Sequence, residues 1–319
     1  MSIRTLEQAF NAVFHKKESF QDFCSIDLLK ETEEFSLKEK MIYRTTPKFK
    51  NYLRFIDKVI LRHLAKNEDV LHSYIKERSV LTAVKCHAAN RAFFLTDIKS
   101  FFSNINGEDV KRILKRDAHL IPISDLPLYI EYISNLTTWK GSIPVGFPSS
   151  PQLSNSFLFE FDNALQDFCK SESLVYTRYS DDIVISGLEK EPLFHLKEVV
   201  QELLSTYASG KLTINEEKTK ITHTGNKVKI LGLVINQEGF VTVDSKYKKI
   251  IETFLHFYIT DKDKYESFLQ ETFDGKEHSL FGLLHYVKSS DPAYLGKLQR
   301  KYGVLALRSL MENKWREER

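Results

Sequence analysis

Long hydrophobic runs are missing from this chain. No stretch approaches the roughly 20 apolar residues that a membrane helix needs, and the charged start, with Arg4 and Glu7, is unlike a signal peptide. No membrane partner is therefore expected, and the cytoplasm is the expected compartment. Cysteine is scarce: Cys24, Cys86 and Cys169 are far apart and share no Cys-x-x-Cys or Cys/His spacing, which argues against a zinc module and a disulfide framework alike. The ten histidines form no His-x-x-x-His pair or other ligand pattern. Internal repeats, low-complexity tracts and Pro/Gly/Ser-rich linkers are absent too, so solenoid and linker-joined architectures are not indicated. What remains is an ordinary globular chain of 319 residues, long enough to bury a substantial core.

Net charge is also small, 46 basic against 43 acidic residues, or +3, but its distribution is uneven. Acids outnumber bases up to Leu37. From Lys38 to Lys66, nine bases (Lys38, Lys40, Arg44, Lys48, Lys50, Arg54, Lys58, Arg62 and Lys66) face only Glu39 and Asp57, with Tyr43, Phe49, Tyr52 and Phe55 interleaved. Such a run can track a phosphate backbone, and it reads equally as a solvated helix face.

Periodicity supplies the organisation. The first 80 or so residues read as mostly helical, most clearly Tyr52 to Leu64, with Leu53, Ile56, Val59, Ile60 and Leu64 at helical spacing. Ala92 to Asp97 is a short apolar run of strand length ending on an acid, and Asn106 is placed to cap a helix through Lys115. Around Pro144 to Asn155, three prolines and a glycine define a loop, and Leu153, Phe157, Leu158, Phe161 and Leu165 at helical spacing imply a helix behind it. Two strands, Leu174 to Tyr179 and Ile183 to Ser186, flank a tight turn of Ser180, Asp181 and Asp182. A helix from Pro192 to Tyr207, strands near Ile230 to Ile235 and Phe240 to Val243, and helix from Ser245 onward complete an α+β pattern.

Acids at the ends of strands suit one chemistry in particular. Phosphoryl transfer to a hydroxyl uses two divalent cations about 3.5–4 Å apart, and magnesium takes a few carboxylate oxygens alongside water and phosphate. Asp97 at a strand end and Asp181-Asp182 at a hairpin tip meet that need if their strands are neighbours. Taken singly, each also fits a local turn or cap role.

Four blocks in a fixed order change the balance. Phe94-Leu-Thr-Asp-Ile-Lys-Ser-Phe-Phe102, Pro144-Val-Gly-Phe-Pro-Ser-Ser-Pro-Gln-Leu-Ser-Asn155, Tyr176-Thr-Arg-Tyr-Ser-Asp-Asp-Ile183 and Leu212-Thr-Ile-Asn-Glu-Glu-Lys-Thr-Lys220, followed by Ile230-Leu-Gly232, resemble the reverse transcriptase family, and within it the bacterial branch of retron and phage-defence enzymes. The resemblance implies a right-hand polymerase with helical fingers, a ferredoxin-like antiparallel palm sheet and a helical thumb. Its expected parts are an N-terminal extension and fingers over 1–90, a palm over 91–243 with a finger insertion near 115–150, and a thumb over 244–319.

The same resemblance implies roles. Asp97 and Asp181 would be the main metal ligands, Asp182 the supporting carboxylate and the backbone oxygen of Ile98 a further ligand, for two Mg2+ ions that Mn2+ can replace. Lys218 would act on the pyrophosphate. Phe102 would be the steric gate against a ribonucleotide 2′-hydroxyl, leaving Phe101 to the core. Gly146, Phe147 and Pro148 would shape the nucleotide pocket, with Lys40 and Arg44 holding the triphosphate. Tyr179, Arg178, Leu231, Gly232, Lys297, Arg300 and Lys301 would meet nucleic acid, within a basic tail that continues through Lys314, Arg316 and Arg319. The implied partners are a structured noncoding RNA template, the RNA–DNA hybrid, deoxynucleotides and a defence effector protein. For Arg178 a structural ion pair is an equal alternative.

Two elements common among retron enzymes are altered: Ala83-Val-Lys-Cys-His87 keeps only the histidine of one, and Ile230-Leu-Gly232 only the glycine of the other. The competing readings are an RNA-templated RNA polymerase, a template-independent terminal transferase, a catalytically silent RNA-binding scaffold, and a nuclease using similar metal chemistry. Phe102 opposes ribonucleotide use. The acidic set opposes the silent scaffold, and the proline-rich loop with the hairpin opposes the nuclease.

Overall fold

Aromatic side chains build the N-terminal core of the computed structural model, which describes residues 3–37, 40–225, 227–273 and 275–312. Thr5 and Gln8 close a capping box on the helix Leu6–Phe14. Its Phe10 ring lies 5.2 Å from Phe23, 5.3 Å from Phe55 and 5.8 Å from Tyr52, all buried. These are the tilted and edge-on geometries that aromatic quadrupoles favour. The helix supplying Tyr52 and Phe55 runs Pro47–Val59, with Thr46 as N-cap and proline in its first turn. The expected helix of Tyr52 to Leu64 therefore starts earlier and stops at Val59, giving way to a 3-10 turn, Leu61–His63.

Between these helices lies a hairpin where helix was expected: β1 (Thr32–Leu37) and β2 (Lys40–Thr45) pair antiparallel, with Thr32 opposite Thr45 and Phe35 opposite Ile42. Cross-strand pairing of Phe35 with Ile42 and of Thr32 with Thr45, with Arg44 resting 5.1 Å above the Phe35 ring, outweighs the helical tendency of Glu33, Glu34 and Lys40 within the strands.

The next four strands follow the strand-helix-strand-strand-helix order read from sequence. They are β3 (Ala92–Asp97), β4 (Val175–Tyr179), β5 (Asp182–Gly187) and β6 (Lys220–His223), in the sheet order β4-β5-β3-β6. β6 was not foreseen, because Lys220-Ile-Thr-His223 is too short and too polar to show a period. Asn106 caps the helix Gly107–Arg116, as expected. The segment 230–235 is a hairpin: β7 (Val228–Ile230) turns at Leu231-Gly232 into β8 (Leu233–Ile235), which pairs with β9 (Val241–Val243). Helices Ser245–Thr260, Lys262–Phe273, Glu277–Ser290, Pro292–Tyr302 and Val304–Glu312 follow.

The chain divides into two compact units. The first comprises 1–76, 95–185 and 194–220; the second comprises 77–94, 186–193 and 221–319. In the second, His87 is fully buried with Nδ1 2.6 Å from the Ser186 hydroxyl, which also accepts from the Asn90 amide at 2.7 Å. The retained histidine of the altered element thus has a structural task.

Candidate active site

Every residue of β3 is buried, so its continuous apolar run ends with an acid inside the protein: Asp97 is only 6% exposed. The backbone fixes it from both sides. Ile98 N–H donates to the Asp181 carbonyl (2.9 Å), while Asn215 N–H donates to the Asp97 carbonyl and Lys99 N–H to that of Thr213 (2.8 Å each). A Thr96–Thr219 hydroxyl contact of 2.7 Å ties the same two segments together. The strand ends that sequence reading needed as neighbours are hydrogen-bonded neighbours.

The hairpin tip is held from behind. Ser180 adopts φ +59°, a left-handed conformation that costs a non-glycine residue about 1–2 kcal/mol. Both of its peptide groups are engaged: Ser180 N–H donates to Ser73 Oγ at 2.8 Å, and the Ser180 carbonyl accepts from Arg178 Nη1 at 2.9 Å. Arg178 itself is fully buried and forks onto Asp162, Nε to Oδ1 at 2.7 Å and Nη2 to Oδ2 at 2.6 Å. Tyr176 donates its hydroxyl to the same carboxylate at 2.7 Å. Burial works against charge on Arg178, but the Asp162 carboxylate raises the guanidinium above its ordinary pKa. The expectation that Arg178 meets nucleic acid is therefore corrected. Its side chain points inward, and through the Ser180 carbonyl it holds the shape of the turn.

Charge at the tip is out of balance. Burial, followed by the nearby charges of Asp181 and Asp97, pushes the Asp182 carboxyl up to about 6, with Lys218 opposing. Lys218 Nζ lies 3.1 Å from Asp97 Oδ2, and that hydrogen bond, with Asp97's charge, raises the ammonium pKa. Asp97 Oδ1 is buried without any hydrogen-bond partner. Among the described residues no group of three or more His, Cys, Asp or Glu is gathered closely enough to hold a metal ion. Magnesium does not require such a cage, since it is commonly bound by one or two carboxylates with substrate phosphates and water. An orphaned carboxylate oxygen beside two further acids fits a hard divalent cation.

The other expected site residues divide. Phe101 is buried, as expected of a core residue, and Phe102 is half-buried, their ring centroids 5.6 Å apart and edge-on. Phe147 is corrected: it is 2% exposed and packs edge-on against Phe49 at 5.5 Å, so it belongs to the core and not to a nucleotide pocket. Gly146 is required for a reason besides ligand approach. At φ +112° an added Cβ would fall 2.3 Å from the Tyr43 carbonyl oxygen, and Tyr43 N–H donates to Val145 at 3.0 Å, so this loop is seated on β2. Pro148 and Tyr179 are half-buried, and Arg44 is exposed on the hairpin. Lys40 opens β2, and its side chain lies outside the described residues.

In the second unit, Leu231 (φ +50°) and Gly232 (φ +87°) form the β7–β8 turn. Lys297 and Arg300 are exposed, whereas Lys301 is engaged with Glu252 at 2.8 Å. Lys314, Arg316 and Arg319 lie outside the described residues. Sequence reading missed Asp162, Ser73 and Asn155; the last donates to the Ser73 carbonyl at 3.2 Å. The one available signal was Asp162, an acid on the apolar face that Phe161 and Leu165 define.

A family model described as reverse transcriptase (RNA-dependent DNA polymerase) matches residues 32–235. The chain is similar to the retron Ec83 reverse transcriptase of Escherichia coli, 24% identical over 275 residues and covering 85% of each chain. It is 25% identical to the retron Ec86 reverse transcriptase of Escherichia coli over 271 residues, 83% of this chain and 78% of the relative. Among solved structures, a telomerase from Candida tropicalis, in complex with a fragment of telomeric RNA, aligns with a TM-score of 0.47 at 13% identity, covering 85% of this chain and 54% of that one.

Proposed function

The chain belongs to the reverse transcriptase family, and from that premise we propose that it copies a structured noncoding RNA into DNA at Asp97, Asp181 and Asp182, in the setting of antiphage defence. It is an RNA-directed DNA polymerase, a nucleotidyltransferase. The observation that carries the site assignment is the 2.9 Å hydrogen bond from Ile98 N–H to the Asp181 carbonyl, which registers the two acid-bearing backbones against each other. We assign 1–90 to the extension and fingers, 91–243 to the palm with a finger insertion near 115–150, and 244–319 to the thumb.

The family uses divalent metal ions, and Asp97, Asp181 and Asp182, with the Ile98 carbonyl, would hold two of them, magnesium or manganese. When bound, such ions supply an activated primer hydroxyl and charge neutralisation on the phosphates. The chain's own residues do the rest. The buried ladder around Asp97 and the Arg178-held turn keep the carboxylates oriented without reorganisation. Lys218, with its side chain 67% exposed, can leave Asp97 for the phosphates and give a proton to the departing pyrophosphate. Phe102 would fill the space a 2′-hydroxyl needs, and Arg44 would approach the triphosphate from the hairpin. Tyr179 in the first unit would meet nucleic acid, as would the exposed Lys297 and Arg300 and the Leu231-Gly232 turn in the second.

The test is incorporation of labelled nucleotides by protein purified with its co-bound RNA, with magnesium added. Deoxynucleotide incorporation by the wild type, lost in Asp181→Asn/Asp182→Asn, upholds the reading, and sequencing the product identifies the template. Ribonucleotide incorporation, or a variant as active as the wild type, removes it. Loss of phage protection in cells carrying the same variant tests the defence setting.

A further inference from the structure

An open pocket of about 430 Å³ lies in the first unit, against the helix Leu6–Phe14 and the end of Pro47–Val59, and it shares no lining residue with the carboxylate site. Four basic side chains line it: Arg4, Lys58, Arg62 and His63. These come from the basic run singled out in the sequence and from a separate N-terminal segment, brought together by the fold. Among the described residues none of Arg4, Lys58 or Arg62 has a carboxylate at ion-pair distance, whereas neighbouring Lys66 is engaged with Glu68 at 3.7 Å. The cations sit on anchored backbone. Arg4 N–H donates to the Pro122 carbonyl at 3.2 Å and Ser124 N–H to the Arg4 carbonyl at 2.9 Å, while His63 N–H closes its turn on Ile60 at 3.1 Å. Burial, then Arg62 and Lys66, lower the His63 pKa, which favours the neutral ring and leaves it able to donate or accept a hydrogen bond.

The remaining wall is apolar, made of Ala9, Ala12, Val13, Val59, Pro122 and Ile123. Cations over a low apolar floor match a phosphate joined to a flat, weakly polar ring, because guanidinium groups can both fork onto phosphate and stack on a base. The volume lies within the roughly 300–1,000 Å³ of small-ligand sites. An open mouth admits a chain running through, where an enclosed cavity would suit a free molecule. We propose that this pocket is a second RNA-binding site, seating a phosphate and base of a single-stranded segment of the RNA while the carboxylate site works on another part. The proposal rests on the RNA-directed reading of the chain.

The experiment uses the full chain, a single-stranded RNA carrying 4-thiouridine, and the variants Lys58→Gln/Arg62→Gln and Arg4→Gln. Both substitute exposed side chains, and thermal midpoints confirm folding. Cross-links are expected within 6–14, 58–63 or 122–123, and the double variant should lose them. Its RNA affinity should fall about tenfold, and its log affinity against log salt should become shallower by roughly 0.7, the contribution of one phosphate contact on a single strand. Cross-links confined to other segments, or an unchanged salt slope, overturn the proposal. So does competition by free AMP or inorganic phosphate as effective as by RNA, which would give the pocket to a free nucleotide or phosphate. Failure of the parent reading is separate: it is the absence of deoxynucleotide incorporation by the wild type.

Discussion

Arg178 and Asp162 are a fully buried pair whose output is the position of one carbonyl, that of Ser180. Truncating one partner strands the other charge, so Arg178→Met should destabilise the protein by about 3–5 kcal/mol in denaturant unfolding. Removing both charges with Asp162→Leu/Arg178→Met should recover much of that stability. Single-turnover incorporation should nevertheless stay low in the double variant, because the Ser180 carbonyl still lacks its donor. A double variant with wild-type turnover would show the pair to be structural only. At Phe102 the expectation is selectivity rather than stability: Phe102→Ala should admit ribonucleotides, read as a fall in the ratio of kcat/KM for deoxy- over ribonucleotides.

Elements carry the next set of consequences. Gly146 joins the proline loop to β2, and Gly146→Ala should cost about 1–3 kcal/mol from its positive φ alone. The clash with Tyr43 adds to this, so the nucleotide KM should rise as the hairpin loses its seat. Asp117, at the end of the helix Gly107–Arg116, gives a pH signature. Burial raises its carboxyl, but hydrogen bonds from Arg116, from Ala65 N–H and from Ser156 outweigh this and lower it below the ordinary value. A lowered folded-state pKa contributes stability above the unfolded value near 3.9, lost as pH falls through the folded value. The urea unfolding midpoint of Asp117→Asn should accordingly depend less on pH below about 4 than the wild type's.

Elements also show where sequence was enough. Asn106, the two strands around Ser180 and the acid ending β3 are specified by residues within a few positions of each other, and they stand as expected. Arg178 was open between nucleic acid and a structural ion pair, and Phe147 was misjudged, because their partners, Asp162 and Phe49, are distant in sequence, so neither burial nor direction shows in local pattern. β1 and β2 hid behind helix-forming glutamates and lysines, whose propensity is a weak prior that cross-strand pairing overrides.

For the whole molecule, composition alone offered a charge of +3, and folding sorts that charge into engaged and available cations. Lys301 is held by Glu252, while Lys297 and Arg300 are exposed. Lys297→Gln/Arg300→Gln should thus weaken template–primer binding and flatten its salt dependence, by roughly 1.8 in slope at about 0.9 per duplex phosphate contact. Lys301→Gln should change the slope less, as fluorescence anisotropy across a salt series would show.

The partnerless Asp97 oxygen has a further meaning for the folded protein. A carboxylate with one oxygen held by Lys218 and the other buried without a partner leaves the free enzyme below the stability its fold could reach, so occupancy of the site becomes a source of cohesion. Any hard cation with a deoxynucleotide that prefers the native state should raise the melting midpoint by mass action, and even catalytically inert calcium should do so. Asp97→Asn should start from a midpoint at least as high and gain little. Such an enzyme would be most resistant to unfolding and proteolysis while loaded, so supply of substrate would govern how long it lasts as well as how fast it works.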